Sequence, residues 1–136
     1  IQGGVKGKLI IVEGDFEDAY KYLKLNILDT FDKPDMQIYV ELDGRTYKTE
    51  VIDDNEHPRF NHPIPITWNV EMKTIKFTGV EVDNFDLGFS NDEVFHQYVN
   101  PHGFKGYEML STELVDKKNK LTIKFEPERG IPNCPW

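Results

Sequence analysis

The chain has 136 residues, of which 24 are acidic and 16 are basic, and its net charge is −8. This length fits one domain with a real core, and the acidic surplus argues against nucleic-acid binding, which relies on clustered Lys and Arg. No apolar run approaches the length of a membrane span. The single cysteine, Cys134, excludes an internal disulfide and favours the cytosol.

The first half of the chain alternates apolar runs with polar turns, a pattern typical of β-strands. Leu23, Leu25 and Ile27, for example, share one face of the run 22–28. Asp43-Gly44 is a strong signal for a hairpin turn. We predict strands at 8–12, 22–28, 38–42 and 47–51, with acidic or polar loops at 29–35 and 53–57.

The second half continues this pattern on both sides of the segment 91–99. Pro63 and Pro65 place the next strand at a sheet edge or a bulge, because proline cannot donate a hydrogen bond to the ladder. Gly79 predicts an irregular strand. We predict strands at 64–70, 73–82, 107–113 and 121–125, an acidic loop at 83–88 and a turn at 116–120.

One segment, 91–99, has a helical pattern. Val94 and Phe95 are followed by Tyr98 and Val99, so that four apolar side chains share one helical face. Ser90 or Asn91 provides a cap, and acidic residues follow in the first turn. We therefore predict a short helix here.

These elements indicate an all-β protein, an eight-stranded antiparallel β-sandwich with one short helix in a loop. We expect a single domain over 1–136, with an ordered core at 8–126 and a tail at 127–136. Because the chain begins at Ile1 rather than Met, we expect it to be an excised part of a larger protein.

The stretch 48–66 has a specific pattern. It reads Lys-Thr, a short apolar strand, a polar loop, then Asn55-x-x-Pro58-x-Phe60-Asn61 and an alternating strand. This pattern resembles the signature of a C2 domain, and we expect Phe60 to be a buried anchor. The resemblance extends over 8–126 and includes the stretches 7–9, 23–29, 37–42, 83–88 and 121–125. It implies a sandwich of the synaptotagmin-like topology, with loops at one end that hold Ca²⁺ and touch phospholipid headgroups.

The acidic loops contain the residues that the resemblance implies for Ca²⁺, which takes six to eight oxygen ligands. The predicted ligands are Asp29, Asp35, Asp83 and Asp86. The alternative is that Asp is simply common in turns. Gln37 stands where the family has a ligand Asp, and the second loop departs from the family's carboxylate spacing. We therefore expect Ca²⁺ dependence to be weak or lost.

Apolar residues at the same loops are predicted membrane contacts: Phe31, Met36, Phe85 and Leu87. Their alternative role is to pack beneath their own loops, which is the commoner use of such side chains. A basic patch is a second lipid-binding surface in some C2 domains, and its members here would be Lys21, Lys24, Arg45 and Lys48. The acidic surplus favours an ordinary solvated strand face instead.

Catalytic and zinc patterns are missing from the sequence. The four histidines do not pair at metal spacing on a helix, there is no cysteine cluster, and Cys134 lies in a Pro-rich tail. No Gly-rich phosphate loop or nucleophile motif occurs. We therefore expect no enzymatic activity, and a sugar-binding sandwich is disfavoured because no line of exposed aromatics is visible.

The function predicted from the sequence is that of a C2-type phospholipid-targeting module in a larger intracellular protein. We expect it in the cytoplasm at the cytosolic face of a membrane, with a phospholipid surface or a protein as partner and no nucleic acid. The alternative is a Ca²⁺-independent C2-fold module for protein interaction or structural support.

Overall fold

The computed structural model describes residues 5–17, 34–68, 74–82, 92–100 and 111–128. These ranges contain eight strands in two four-stranded antiparallel sheets, which confirms the predicted β-sandwich. The strands are β1 (Val5–Asp15), β2 (Met36–Leu42), β3 (Arg45–Lys48), β4 (Arg59–Trp68), β5 (Ile75–Glu81), β6 (Asp92–Val99), β7 (Thr112–Asp116) and β8 (Asn119–Pro127).

The first sheet has the order β4-β1-β8-β7, and the second has the order β3-β2-β5-β6. The apolar side chains of the inner strands alternate with polar ones, so each strand buries one face. The core includes Leu9, Ile38, Val40, Phe77, Leu121 and Ile123, all fully buried. Pro63 and Pro65 lie in β4 at the edge of the first sheet, as predicted.

Burial differs among the apolar side chains of the described strands, and Phe60, the expected buried anchor, is less buried than the core residues. Val40, Leu121 and Ile123 are fully buried, whereas Ile66 and Phe60 are only partly buried and pack against the core. The predicted strand 22–28, with Leu23, Leu25 and Ile27, and the side chain of Trp68 lie outside the description.

The predicted helix at 91–99 is wrong, because Asp92–Val99 forms strand β6 at the edge of the second sheet. Phe95, Gln97 and Val99 oppose Gly79, Phe77 and Ile75 of β5 in the ladder. Gln97 interrupts what would otherwise be an alternating apolar face, which concealed the strand period. β-branched and aromatic side chains favour a strand once a neighbouring strand is present.

The irregularity predicted at Gly79 is confirmed, since the register between β5 and β6 shifts between Gly79 and Val80. A Cβ on Gly79 would lie 2.9 Å from the Cβ of Phe95. Glycine therefore allows the Phe95 side chain to approach the backbone of β5. There the Phe95 ring packs edge-on against Phe16, with a centroid distance of 6.1 Å.

The aromatic residue of the C2-like signature lies at a β-bulge. Ile11 opposes His62 and Glu13 opposes Arg59, so that two residues of β4, Phe60 and Asn61, face the single Val12 of β1. Asn61 adopts a φ of 46°, a left-handed conformation that asparagine tolerates better than most residues. β4 pairs with β1 on both sides of the bulge.

Side chains join the two sheets at their β6 and β7 edges. The Nε2 group of Gln97 donates to the carbonyl of Val115 at 2.7 Å, and the Nδ2 group of Asn119 donates to the carbonyl of Val94 at 3.0 Å. The backbone N–H of His96 donates to Oδ2 of Asp116 at 2.9 Å. These contacts occupy backbone groups that an edge strand would otherwise expose.

Candidate functional site

The connections next to the predicted acidic loops meet at one end of the sandwich, which we call the loop end. Here β1 and β5 finish and β2 and β6 begin, since Met36 opposes Glu81 and Glu81 opposes Asp92. The 49–58 connection crosses the same end, with the N–H of Phe16 donating to the carbonyl of Glu56 at 2.7 Å.

Asp35 is the one predicted cation ligand within the described residues, and it lies at the loop end. Its carbonyl accepts from the N–H of Val82 at 2.8 Å, and its Oδ1 accepts from the N–H of Asp54 at 2.7 Å. Val82 directly precedes Asp83 in the sequence. The borders of the two predicted acidic loops are thus hydrogen-bonded to each other, while Asp29, Asp83 and Asp86 lie outside the description.

Gln37 has a structural role in this arrangement. Its Nε2 donates to the carbonyl of Thr49 at 2.8 Å, and its Oε1 accepts from the hydroxyl of Tyr39 at 3.2 Å. Thr49 is buried, and its Oγ1 accepts from the N–H of Ile38. The Gln37 amide, at a position where the C2 resemblance implies a ligand carboxylate, therefore holds the start of the 49–58 connection against β2.

Met36 was predicted to contact a membrane, and this prediction is wrong. Its side chain is 0% exposed and belongs to the core, because it is the first inward-facing residue of β2. Met36 therefore packs beneath the loops, which is the alternative role predicted for it from the sequence. Phe31, Phe85 and Leu87 lie outside the described residues and remain predictions.

The predicted basic patch is only partly described. Arg45 and Lys48 are both exposed on β3, but they are three residues apart, so their side chains leave opposite faces of the strand. These two residues therefore do not form one patch. Lys21 and Lys24 lie outside the description.

A cluster of His57, Asp15 and Glu17 at the loop end was missed by sequence reasoning. Nε2 of His57 lies 3.3 Å from Oε1 of Glu17, and Nδ1 lies 3.6 Å from Oδ1 of Asp15. These side chains are 39–53% exposed. One nitrogen and two carboxylates lie close enough together to share a cation, although an exposed His–carboxylate ion pair explains the same distances.

Two turns produce this cluster. The N–H of His57 donates to Oδ1 of Asn55, and the N–H of Glu17 donates to Oδ1 of Asp15. Both are short-range turns that polar side chains form with their own backbone. Because forty residues separate Glu17 from His57, no local sequence signal could have paired them.

Neither a protein-family model nor a curated protein matches the chain. Solved structures do match its fold. A human GIVD cytosolic phospholipase A2 structure aligns with a TM-score of 0.66 and 16% identity over 90% of this chain. A C2 domain of plant Extended Synaptotagmin 1 aligns with a TM-score of 0.62 and 13% identity over 96% of this chain.

The coverage of these structures differs. The match spans 16% of the phospholipase chain but 100% of the plant C2 domain. A structure of two C2 domains of Extended-Synaptotagmin 2 aligns with a TM-score of 0.60 and 12% identity, over 93% of this chain and 42% of that one. At these identities the likeness establishes the fold. The chain is a C2-like β-sandwich module.

Within the described ranges, no helix is long and apolar enough to cross a membrane.

Proposed function

We infer that the chain is a C2-type module that brings a larger intracellular protein to a phospholipid surface, with Ca²⁺ dependence weak or lost. The observation that carries this inference is the assembly of the loop end. There the Asp35 backbone and carboxylate link the borders of three connections. A C2-like fold in which the borders of three connections are hydrogen-bonded at one end supports a role for that end in meeting a membrane.

The contacts of Gln37 and Asp35 support the weak Ca²⁺ dependence. The Gln37 amide is engaged with Thr49 and Tyr39, and a neutral amide contributes no charge to a cation site. Oδ1 of Asp35 already accepts a backbone N–H, so a cation there would compete with that hydrogen bond. Affinity for Ca²⁺ falls with the number of charged ligands. We expect millimolar affinity at best.

The test combines calorimetric Ca²⁺ titration with vesicle sedimentation, with and without Ca²⁺. We expect binding to anionic vesicles that changes little with Ca²⁺. Asp35→Asn should leave that binding intact, and Asp53→Asn, which changes an exposed carboxylate in the 49–58 connection, is the matched control. A micromolar Ca²⁺ site with Ca²⁺-dependent vesicle binding, abolished by Asp35→Asn but not Asp53→Asn, would contradict the weak dependence.

The second candidate function is a protein-interaction or structural module with no lipid role. It is favoured by Tyr98 and Val115, which are 54% and 44% exposed on the neighbouring strands β6 and β7. Large apolar side chains at adjacent edges suit a protein partner. An absence of binding to every vesicle composition, with and without Ca²⁺, would select this function.

A further inference from the structure

The hairpin between β7 and β8 places two lysines at the loop end. Asp116 opposes Asn119 in the ladder, so Lys117 and Lys118 form the turn between them. Lys120 opposes Asp15 at the end of β1, which fixes the hairpin at the end where the acidic connections meet. Lys117 and Lys118 are both exposed. They are an adjacent cationic pair at the tip of an acidic protein.

Neither lysine of the tip is neutralised within the part of the chain that the structure describes. The neighbouring lysines of β8 do face carboxylates, with Nζ of Lys120 4.0 Å from Glu113 and Nζ of Lys124 3.8 Å from Glu126. No such carboxylate lies within 4.0 Å of Lys117 or Lys118 among the described residues. The charge of the tip is therefore available to an external anion.

The backbone behind the tip is held firmly. Asn119 is 4% exposed and donates to the carbonyl of Val94, while Asp116 accepts from the N–H of His96. Both residues that flank the turn are thus tied to β6 in the other sheet. A ligand that binds the tip does not have to order this backbone. Binding therefore loses little free energy to the conformational entropy of the turn.

Lys117 has a conformation that lysine rarely adopts. Its φ is 58°, which lies in the left-handed region where Gly or Asn normally occupies a hairpin turn. Because its side chain is exposed, core packing gives no reason for a lysine at this position. An unfavourable backbone conformation at an exposed position, with no packing reason for the residue type, points to a functional role for the side chain.

We propose that Lys117 and Lys118 bind the phosphate of anionic phospholipid headgroups and give the module a Ca²⁺-independent membrane contact. This rests on the proposed function, and it assigns a role to two exposed cations at a loop end that is rich in carboxylates. Ammonium groups bind phosphate as point charges. A basic residue near an anionic membrane strengthens binding about fivefold, so the pair should contribute on the order of 25-fold.

The test is sedimentation with phosphatidylcholine vesicles, with and without phosphatidylserine, in EDTA. The double variant Lys117→Asn with Lys118→Gln removes both charges and retains a residue that tolerates the left-handed turn. The matched control is Lys6→Gln with Lys8→Gln, which removes two charges from exposed residues near the start of β1. Thermal melting of each variant checks that the fold is intact.

We expect the hairpin variant to bind phosphatidylserine vesicles about 25-fold more weakly than the wild type, with its melting temperature unchanged or raised. The control should bind within twofold of the wild type. Equal losses of vesicle binding in both variants would show that binding depends only on net charge, and this would overturn the proposed contact. Wild-type binding that the hairpin variant retains would overturn the contact alone. Wild-type binding that needs Ca²⁺ would overturn both the contact and the weak Ca²⁺ dependence of the proposed function. A wild type that binds no vesicle would overturn the proposed function as well.

Discussion

At the residue scale, burial separates two aromatic side chains that look alike in the sequence. Phe95 is fully buried and meets Phe16 edge-to-face, with an angle of 87° between the rings. Phe60 follows the signature proline but is only partly buried at the β4 bulge. The signature aromatic is therefore a secondary contact, and the main aromatic pair connects residues almost eighty positions apart.

We predict that Phe95→Ala lowers the free energy of unfolding by about 3–5 kcal/mol, since it removes a buried ring and leaves a cavity. Phe60→Ala should cost only about 2 kcal/mol, because part of the ring is already in water. Urea denaturation of both variants measures the difference. A larger loss of unfolding free energy for Phe60→Ala than for Phe95→Ala would show that Phe60 is the main anchor, as the sequence predicted.

At the element scale, β6 shows how an edge strand becomes part of a closed sandwich. Its inner face carries Gln97 between Phe95 and Val99, and the Gln97 amide satisfies the carbonyl of Val115 in the other sheet. Asn119 makes the equivalent contact with Val94. Polar side chains thus fix the distance between the β6 and β7 edges.

We predict that Asn119→Ala destabilises the protein by about 1–3 kcal/mol, because it leaves the part-buried carbonyl of Val94 without this donor. Lys118→Ala, at the exposed neighbouring position, should change stability by less than about 0.5 kcal/mol. Hydrogen exchange should localise the loss to β6 and the β7–β8 hairpin. Equal effects for the two substitutions would show that the Asn119 contact does not stabilise this edge.

At the scale of the whole molecule, charge is distributed unevenly. Five acidic residues lie at the loop end: Asp15, Glu17, Asp35, Asp54 and Glu56. His57 lies next to three of them, Asp15, Glu17 and Glu56. Their mutual repulsion opposes folding, and a bound cation would relieve it. The contacts of Gln37 support the proposal that a cation binds only weakly here.

We predict that 1 mM Ca²⁺ raises the melting temperature by about 1–2 °C. A site with millimolar affinity that is half occupied stabilises the native state by about 0.4 kcal/mol, and a domain of this size shifts by a few degrees per kcal/mol. Scanning calorimetry with Mg²⁺ as the control measures the shift. A rise above about 6 °C specific to Ca²⁺ would reveal a tight site and refute the weak dependence.

The sequence by itself determined the architecture and most strand positions. Alternation in β2, β5 and β8 needs only the period of two that an extended chain imposes, and Asp43-Gly44 places a hairpin through its positive φ values. Pro63 and Pro65 predicted that β4 lies at a sheet edge or a bulge, and Gly79 predicted that β5 is irregular. These signals are local, so a linear reading is able to recover them.

Only the tertiary structure decided which side chains meet. The segment 92–99 has a helical pattern in the sequence but forms strand β6, because it pairs with β5. The Gln97 side chain also forms a hydrogen bond with the Val115 carbonyl in the other sheet. The tertiary structure buried Met36 and joined His57 to Asp15 and Glu17. The same is true of the Lys117-Lys118 tip, whose position at the acidic end depends on the pairing of β8 with β1. Long-range pairing has no sequence period, because packing rather than local geometry selects the partners.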